Sequence, residues 1–251
     1  MIKTFEATLT KRQELAQDIN LFSFEIVNDT LVFEAGQYVI ILVKQPDGSV
    51  ARRLYSIASS PSNTKGFDLL LKRVPGGVAS NFFAGLHVGE KATFQGPAGV
   101  FTMKDSVPTA TKIFLATSTG IAPMYAMLRA KIDAGVTNET WHLFWGVRTS
   151  HDLYWLKEFE EMKQKNPGFS YSYCLSREPE LSQKSMPAAC VLGRFDAHFK
   201  KLIVDPAQKN VQILNRYEYY VCGSVNAVEA VRQYLIGEGV DKKQIRSEKF
   251  V

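Results

Sequence analysis

Three short segments, Arg53-Leu54-Tyr55-Ser56, Leu70-Leu71-Lys72 and Gly77-Val78-Ala79-Ser80, follow one another closely along this chain. Their side chains suit an extended flavin dinucleotide. Arg53 offers a forked cation for a pyrophosphate, and Tyr55 a flat apolar face for an isoalloxazine ring. Ser56 brings a small hydroxyl that can sit beside the reactive flavin nitrogen. Gly77 lets backbone N–H groups approach the same phosphates, and Ser80 adds a hydroxyl there. Taken singly, Arg53 and Tyr55 also suit the two faces of an ordinary strand, and Gly76-Gly77 an ordinary turn; the order of the set is what points to a cofactor.

A second set lies further on. Thr117-Ser118-Thr119-Gly120-Ile121-Ala122-Pro123 follows a predicted strand and precedes a predicted helix. The amides of such a turn, with the helix N-terminus behind them, can hold a second pyrophosphate, and Pro123 suits a first helical turn. A strand-to-helix turn also needs glycine for structural reasons alone. Cys222-Gly223 ends another predicted strand, where a small side chain lets a nicotinamide approach the flavin with no covalent bond to sulfur. Arg148, Ser176-Arg177 and Arg194 are placed to grip the 2′-phosphate that separates NADP from NAD, two of the arginines falling just past predicted strands. Near the C-terminus, Glu248 could serve as a proton or charge partner and Phe250 as a displaceable shield over the flavin ring. A last edge strand burying Phe250 accounts for the same residues.

The elements that must position these groups fall into two patterns. The first hundred residues read as short strands, such as the alternating Phe22–Val27 and the apolar Tyr38–Val43, broken by turns such as Pro46-Asp47-Gly48-Ser49. This predicts a small antiparallel β-barrel over residues 1–105 that holds FAD. Residues 106–251 alternate strands (113–116, 143–145, 171–175, 219–222) with helices (124–134, 153–164, 227–236). That alternation predicts an α/β domain with a parallel sheet and its NAD(P) ligand at the carboxyl ends of the strands.

Bulk properties narrow the class. The chain has 251 residues, 45% of them hydrophobic, and a formal net charge of +5. Excess positive charge favours an acidic partner, but Lys and Arg are scattered, and no nucleic-acid motif accompanies them. No apolar run reaches the ~20 residues of a membrane span, and the first residues carry no secretory stretch, so the expected compartment is the cytoplasm. The three cysteines, Cys174, Cys190 and Cys222, are too widely spaced for a zinc knuckle or an iron–sulfur cluster, and the four histidines show no ligand spacing. No metal site is therefore expected. The Gly-x-Ser-x-Gly elbow of serine hydrolases is missing.

Together these segments resemble the ferredoxin/flavodoxin–NADP reductase family, along almost the whole chain. The resemblance implies that Arg53 binds the FAD pyrophosphate, that Tyr55 packs on the isoalloxazine and that Ser56 lies near its reactive nitrogen. Leu54 lies within the same motif, Leu70, Leu71 and Lys72 match the family's next FAD-contacting strand, and Gly77, Val78, Ala79 and Ser80 match its phosphate turn. Thr119 and Gly120 match its nicotinamide-nucleotide turn, with Cys222 and Gly223 beyond. Ser176 and Arg177 look like its 2′-phosphate pair, and Arg148 and Arg194 resemble further phosphate contacts of bacterial members. Ser56, Cys222 and Glu248 are the expected catalytic set, with Phe250 beside the cofactor. Two departures stand out: the connection from Lys72 to Gly77 is very short, and the chain ends in Phe250-Val251 rather than tyrosine. The implied reaction is electron transfer between NADP(H) and an acidic carrier, ferredoxin or flavodoxin, through FAD. A reductase component of an oxygenase, a free-flavin reductase and a non-catalytic flavin relay subunit use similar residues and remain open at this point.

Overall fold

The computed structural model describes residues 2–107, 110–178, 187–207 and 210–250. Two compact units emerge. The first holds residues 1–104 together with 122–133, and the second holds residues 105–121 and 134–251.

In the first unit, β1 (Lys3–Ala16), β2 (Ile19–Ile26), β3 (Tyr38–Lys44), β4 (Val50–Ser56), β5 (Gly66–Lys72) and β6 (Lys91–Ala98) form one sheet in the order β4-β3-β6-β1-β2-β5. Every pairing is antiparallel. Period-two alternation drives these strands inward: on β2, Phe22, Phe24 and Ile26 are buried while Glu25 is exposed. Phe5, Phe24, Phe67 and Phe94 meet at the centre, with Phe67 edge-on to Phe94 at 5.2 Å. The two outer strands meet through an isolated antiparallel bridge between Ile57 and Leu69, reinforced by Ala58 N–H donating to the Asp68 carbonyl at 2.8 Å. The β3–β4 hairpin turns where expected, with Asp47 accepting the Ser49 N–H at 2.9 Å and Gly48 left-handed.

The second unit carries β7 (Thr111–Thr117), β8 (Trp141–Val147), β9 (Phe169–Leu175), β10 (Cys190–Leu192), β11 (Tyr217–Ser224) and β12 (Ile245–Phe250), all parallel, in the order β10-β9-β8-β7-β11-β12. The strand order reverses between β7 and β11. In open parallel sheets such a reversal opens a crevice at the carboxyl ends of the strands, where ligands bind. β7 and β11 are buried almost throughout, as a strand covered on both faces must be.

The chain leaves α1 (Val78–Gly85) within the first unit and α2 (Ile121–Asp133) after β7, the latter grouping from Ala122 onward with the first unit. It then forms α3 (Leu156–Lys165), α4 (Phe195–Phe199), α5 (Val211–Leu214) and α6 (Val225–Gly237). The predicted helix over 153–164 begins later, because Trp155 at its N-cap takes a left-handed φ of 57°. The helix predicted over 124–134 begins earlier, at Ile121, directly from the Gly120 turn.

Candidate functional site

Strand β4 builds the first half of the flavin set. Arg53 pairs with Ile41 and Tyr55 with Val39 across the hairpin, so the two side chains share one face of the strand, with Leu54 and Ser56 on the other. Tyr55 is half-buried, its ring edge-on to Phe83 at 5.4 Å, and burial pushes its phenol up to about 12 against the opposing pull of Arg53. The phenol is therefore neutral at physiological pH and presents an aromatic surface. Arg53 is exposed, and its guanidinium donates to the Arg52 carbonyl at 2.9 Å. No carboxylate among the described residues pairs with it. Ser56 is buried and Leu54 exposed. On β5, Leu70 and Leu71 are buried and Lys72 is exposed.

The phosphate turn expected at Gly77–Ser80 is the start of α1, a helix that the strand-rich reading of this region had not separated. Gly76 adopts a left-handed φ of 74°, and Gly77 N–H donates to the Val74 carbonyl at 3.0 Å. Ser80 Oγ accepts the Val74 N–H at 2.9 Å, which closes the turn and leaves the hydroxyl its own proton to donate. Gly77 is the N-cap and offers no side-chain acceptor, so the first-turn amides of Val78 and Ala79 have neither an intrahelical partner nor a cap. Ser80 and Lys72 line one small cleft together with Arg12 and Arg73. The cleft thus gathers Lys72, Arg12 and Arg73 near the uncapped start of α1, a donor set whose chemistry suits a phosphate such as the pyrophosphate of FAD, while Arg53 lies outside its lining.

In the second unit the structure brings together two segments far apart in sequence. A Cβ built on Gly120 would stand 2.5 Å from the Cys222 carbonyl oxygen and 2.7 Å from Gly223 Cα. Gly223 has φ of 144°, and its own Cβ would stand 2.0 Å from Thr117 Oγ1. Thr117 Oγ1 also accepts the Ser224 N–H at 3.3 Å. Both segments sit at the carboxyl ends of β7 and β11, where the strand order reverses. Ser118, at φ of 50°, is held by Trp145 Nε1 donating to its carbonyl at 2.9 Å. Thr119 is half-buried at the start of this turn, and Gly120 is buried. Thr117 opens the turn segment read from sequence, but its hydrogen bond to the β11 end was not expected, and Trp145 was read only as part of a strand; its strand-end position was the only signal.

Cys222 is buried, and that burial, with the charge of nearby Glu248, pushes its thiol well above its ordinary range. It stays a neutral thiol, in keeping with a spacer and not a nucleophile. Glu248 pairs with Cys222 across β11 and β12, and Phe250 with Ser224. Phe250 is half-exposed on this edge strand and lies outside the buried core, while Lys249 forms an ion pair with Glu229.

Arg148, Ser176, Arg177 and Arg194 follow the carboxyl ends of three neighbouring strands, β8, β9 and β10. Ser176 donates through both N–H and Oγ to the Val147 carbonyl, each at 3.0 Å, and Arg177 N–H donates to the Arg148 carbonyl at 2.8 Å. Arg194 is committed to Asp196 at 3.1 Å. Arg148 and Arg177 are exposed, and among the described residues neither has a carboxylate partner. No group of histidine, cysteine and acidic residues suited to a metal occurs among the described residues, and no described helix is long and apolar enough to cross a membrane.

Comparison with known proteins gives this geometry its context. Residues 6–103 match the oxidoreductase FAD-binding domain model, and residues 114–233 match the oxidoreductase NAD-binding domain model. Ferredoxin–NADP reductase B of Sorangium cellulosum is 33% identical over 98% of this chain and 97% of its own length. The reductase subunit of an Amycolatopsis aromatic O-demethylase is 30% identical over 99% of this chain and 70% of its own. Among solved structures, an Amycolatopsis cytochrome P450 reductase superposes with a TM-score of 0.84 at 30% identity, covering 99% of this chain and 70% of that one. The chain thus carries an FAD-binding domain followed by an NAD(P)-binding domain.

Proposed function

Because this chain belongs to the ferredoxin–NADP reductase family, we propose that it passes electrons between NADP(H) and a one-electron carrier protein, ferredoxin or flavodoxin, by way of FAD. The observation that carries this reading is the match over nearly the full length of both chains to a ferredoxin–NADP reductase. The relative from an O-demethylase is longer, and this chain spans 70% of it.

Bound FAD supplies the chemistry that converts a two-electron hydride exchange with a nicotinamide into single-electron steps. The chain's own residues bind and orient. Arg53, the first-turn amides of α1 and the Ser80 hydroxyl hold the FAD pyrophosphate, and Tyr55 packs against the ring while neutral. Ser56 positions its hydroxyl toward the reactive nitrogen, and Leu70, Leu71 and Lys72 complete the FAD-contacting strand. Thr119 and Gly120 cradle the nicotinamide nucleotide's pyrophosphate at the β7 end. Cys222 and Gly223 keep the neighbouring strand end slim enough for the nicotinamide. Arg148, Ser176 and Arg177 take the 2′-phosphate, assisted by Arg194 when it leaves Asp196. Glu248 holds a charge beside Cys222, and Phe250 covers the ring when no nicotinamide is present. The net charge of +5 favours an acidic carrier.

The test is anaerobic. The purified flavoprotein is mixed with NADPH or NADH while the flavin absorbance is followed, then offered ferredoxin, flavodoxin or free flavin. Faster bleaching by NADPH and reoxidation by a carrier protein are the expected results. A second reading, a reductase component of an oxygenase, draws on the O-demethylase relative; bleaching by NADH with reoxidation only by an oxygenase partner would select it. A bound flavin that neither nicotinamide bleaches would leave the relay-subunit reading.

A further inference from the structure

The turns after β8 and β9 are stitched together beyond what the strand register requires. Ser176 donates twice to the Val147 carbonyl, and Arg177 N–H donates to the Arg148 carbonyl. Glu178 then spends both carboxylate oxygens on one residue of the opposite turn: Oε2 accepts the Ser150 N–H at 2.7 Å, and Oε1 accepts the Ser150 hydroxyl at 3.3 Å. The neighbouring acids are committed in the same way. Asp152 accepts from the Thr149 N–H at 2.9 Å and from its hydroxyl at 3.2 Å, and Asp196 is held by Arg194. Glu178 and Asp152 are thus turned onto backbone and hydroxyl donors, and Asp196 onto the Arg194 guanidinium. Two guanidiniums stand on adjacent, mutually clamped turns, and among the described residues neither forms an ion pair with the carboxylate that clamps them.

We propose that Glu178 is a positioning residue for coenzyme selection: by clamping Ser150 it fixes the Arg148 turn against the Arg177 turn, so that both guanidiniums converge on one phosphate dianion. The proposal rests on the reading of this edge as the 2′-phosphate site. Two cations must be held at a set separation to grip one anion together, and a carboxylate bonded across the turns to neutral donors sets that separation without pairing with either guanidinium. Loss of the clamp leaves the cations in place but lets their turns drift apart. Binding of a coenzyme without the 2′-phosphate does not depend on that separation.

The FAD-loaded protein, its Glu178→Ala and Glu178→Gln variants and Ser150→Ala are assayed with ferricyanide as acceptor and NADPH or NADH as donor. Inhibition by adenosine 2′,5′-bisphosphate and by 5′-AMP is measured alongside. Glu178→Ala is expected to raise KM for NADPH about tenfold, the scale of one lost charge-assisted hydrogen bond, with kcat and the KM for NADH unchanged. Gln, whose carbonyl can still accept the Ser150 N–H, recovers part of the loss, and Ser150→Ala shows a smaller shift in the same direction. An unchanged KM for NADPH, or an equal rise for both coenzymes, overturns the role of Glu178. If the unsubstituted protein binds the bisphosphate no better than 5′-AMP, the phosphate-site reading itself falls, and the proposal falls with it.

Discussion

Gly120 and Cys222 stand in backbone contact: a Cβ on the glycine would come within 2.5 Å of the cysteine's carbonyl oxygen. One residue ends the turn after β7, the other lies near the carboxyl end of β11, and more than a third of the chain separates them. The approach is possible because neither Gly120 nor Gly223 carries a side chain where the two strand ends meet.

Substituting Gly120→Ala forces one of these strand ends to move. The expected cost is about 1–3 kcal/mol, as for other overpacked sites, seen as a lower midpoint in thermal unfolding. Affinity for the nicotinamide coenzyme should fall as well, while the flavin spectrum of the folded fraction is retained. An unchanged midpoint with unchanged coenzyme affinity would mean that the contact constrains nothing.

Arg53 and Ser56 should separate binding from rate. Arg53→Ala removes the guanidinium assigned to the FAD pyrophosphate, so the protein should lose flavin on gel filtration. Ser56→Ala keeps FAD bound but slows its reduction by NADPH in stopped-flow, by about tenfold if one hydrogen bond worth ~1.4 kcal/mol is lost from the reacting geometry. Equal reduction rates in the two proteins would remove Ser56 from the catalytic set.

At the amino-terminal end of the parallel sheet, Lys112 and Glu139 form a buried ion pair at 2.9 Å. Lys112 also donates to the Val107 carbonyl at 2.8 Å, and Glu139 accepts from Trp141 Nε1 at 3.1 Å. Lys112→Met leaves a buried carboxylate without its counter-ion and should destabilise the fold by about 3–5 kcal/mol. Combining it with Glu139→Gln should recover part of that loss in denaturant unfolding. A double variant no more stable than the single would show that the charge is not what matters.

His142 introduces a pH dependence. Burial lowers its pKa below the ordinary histidine value, and its ring Nδ1 bonds with Ser170 Oγ. The unfolded chain therefore binds a proton at higher pH than the folded one, so this contribution to stability is complete above about pH 6.5 and is lost as pH falls from there toward the lowered value. Thermal unfolding between pH 7.5 and 5.5 should show a steeper acid-side loss in the wild type than in His142→Gln. Parallel slopes would exclude His142 as the source.

Motif order and period were enough to assign a barrel followed by a parallel sheet, because alternation at Phe22, Phe24 and Ile26 or a run such as Tyr219–Cys222 states which faces are buried whatever the neighbours. They also named Arg53, Tyr55, Gly120 and Cys222, since the residue types that bind phosphates and rings are local chemistry. The helix at Val78–Gly85 was hidden because eight residues hold barely two turns of periodicity, and packing on the barrel rather than propensity makes it helical. Only the tertiary structure decided that Gly120 lies on Cys222, that Asp196 occupies Arg194, and that Glu178 clamps Ser150. The first and the last are contacts between strand ends, set by sheet order and register, and residues distant in sequence leave no local pattern of such a meeting; the Arg194–Asp196 pair is local, but which acid a surface arginine takes depends on how the backbone turns into α4.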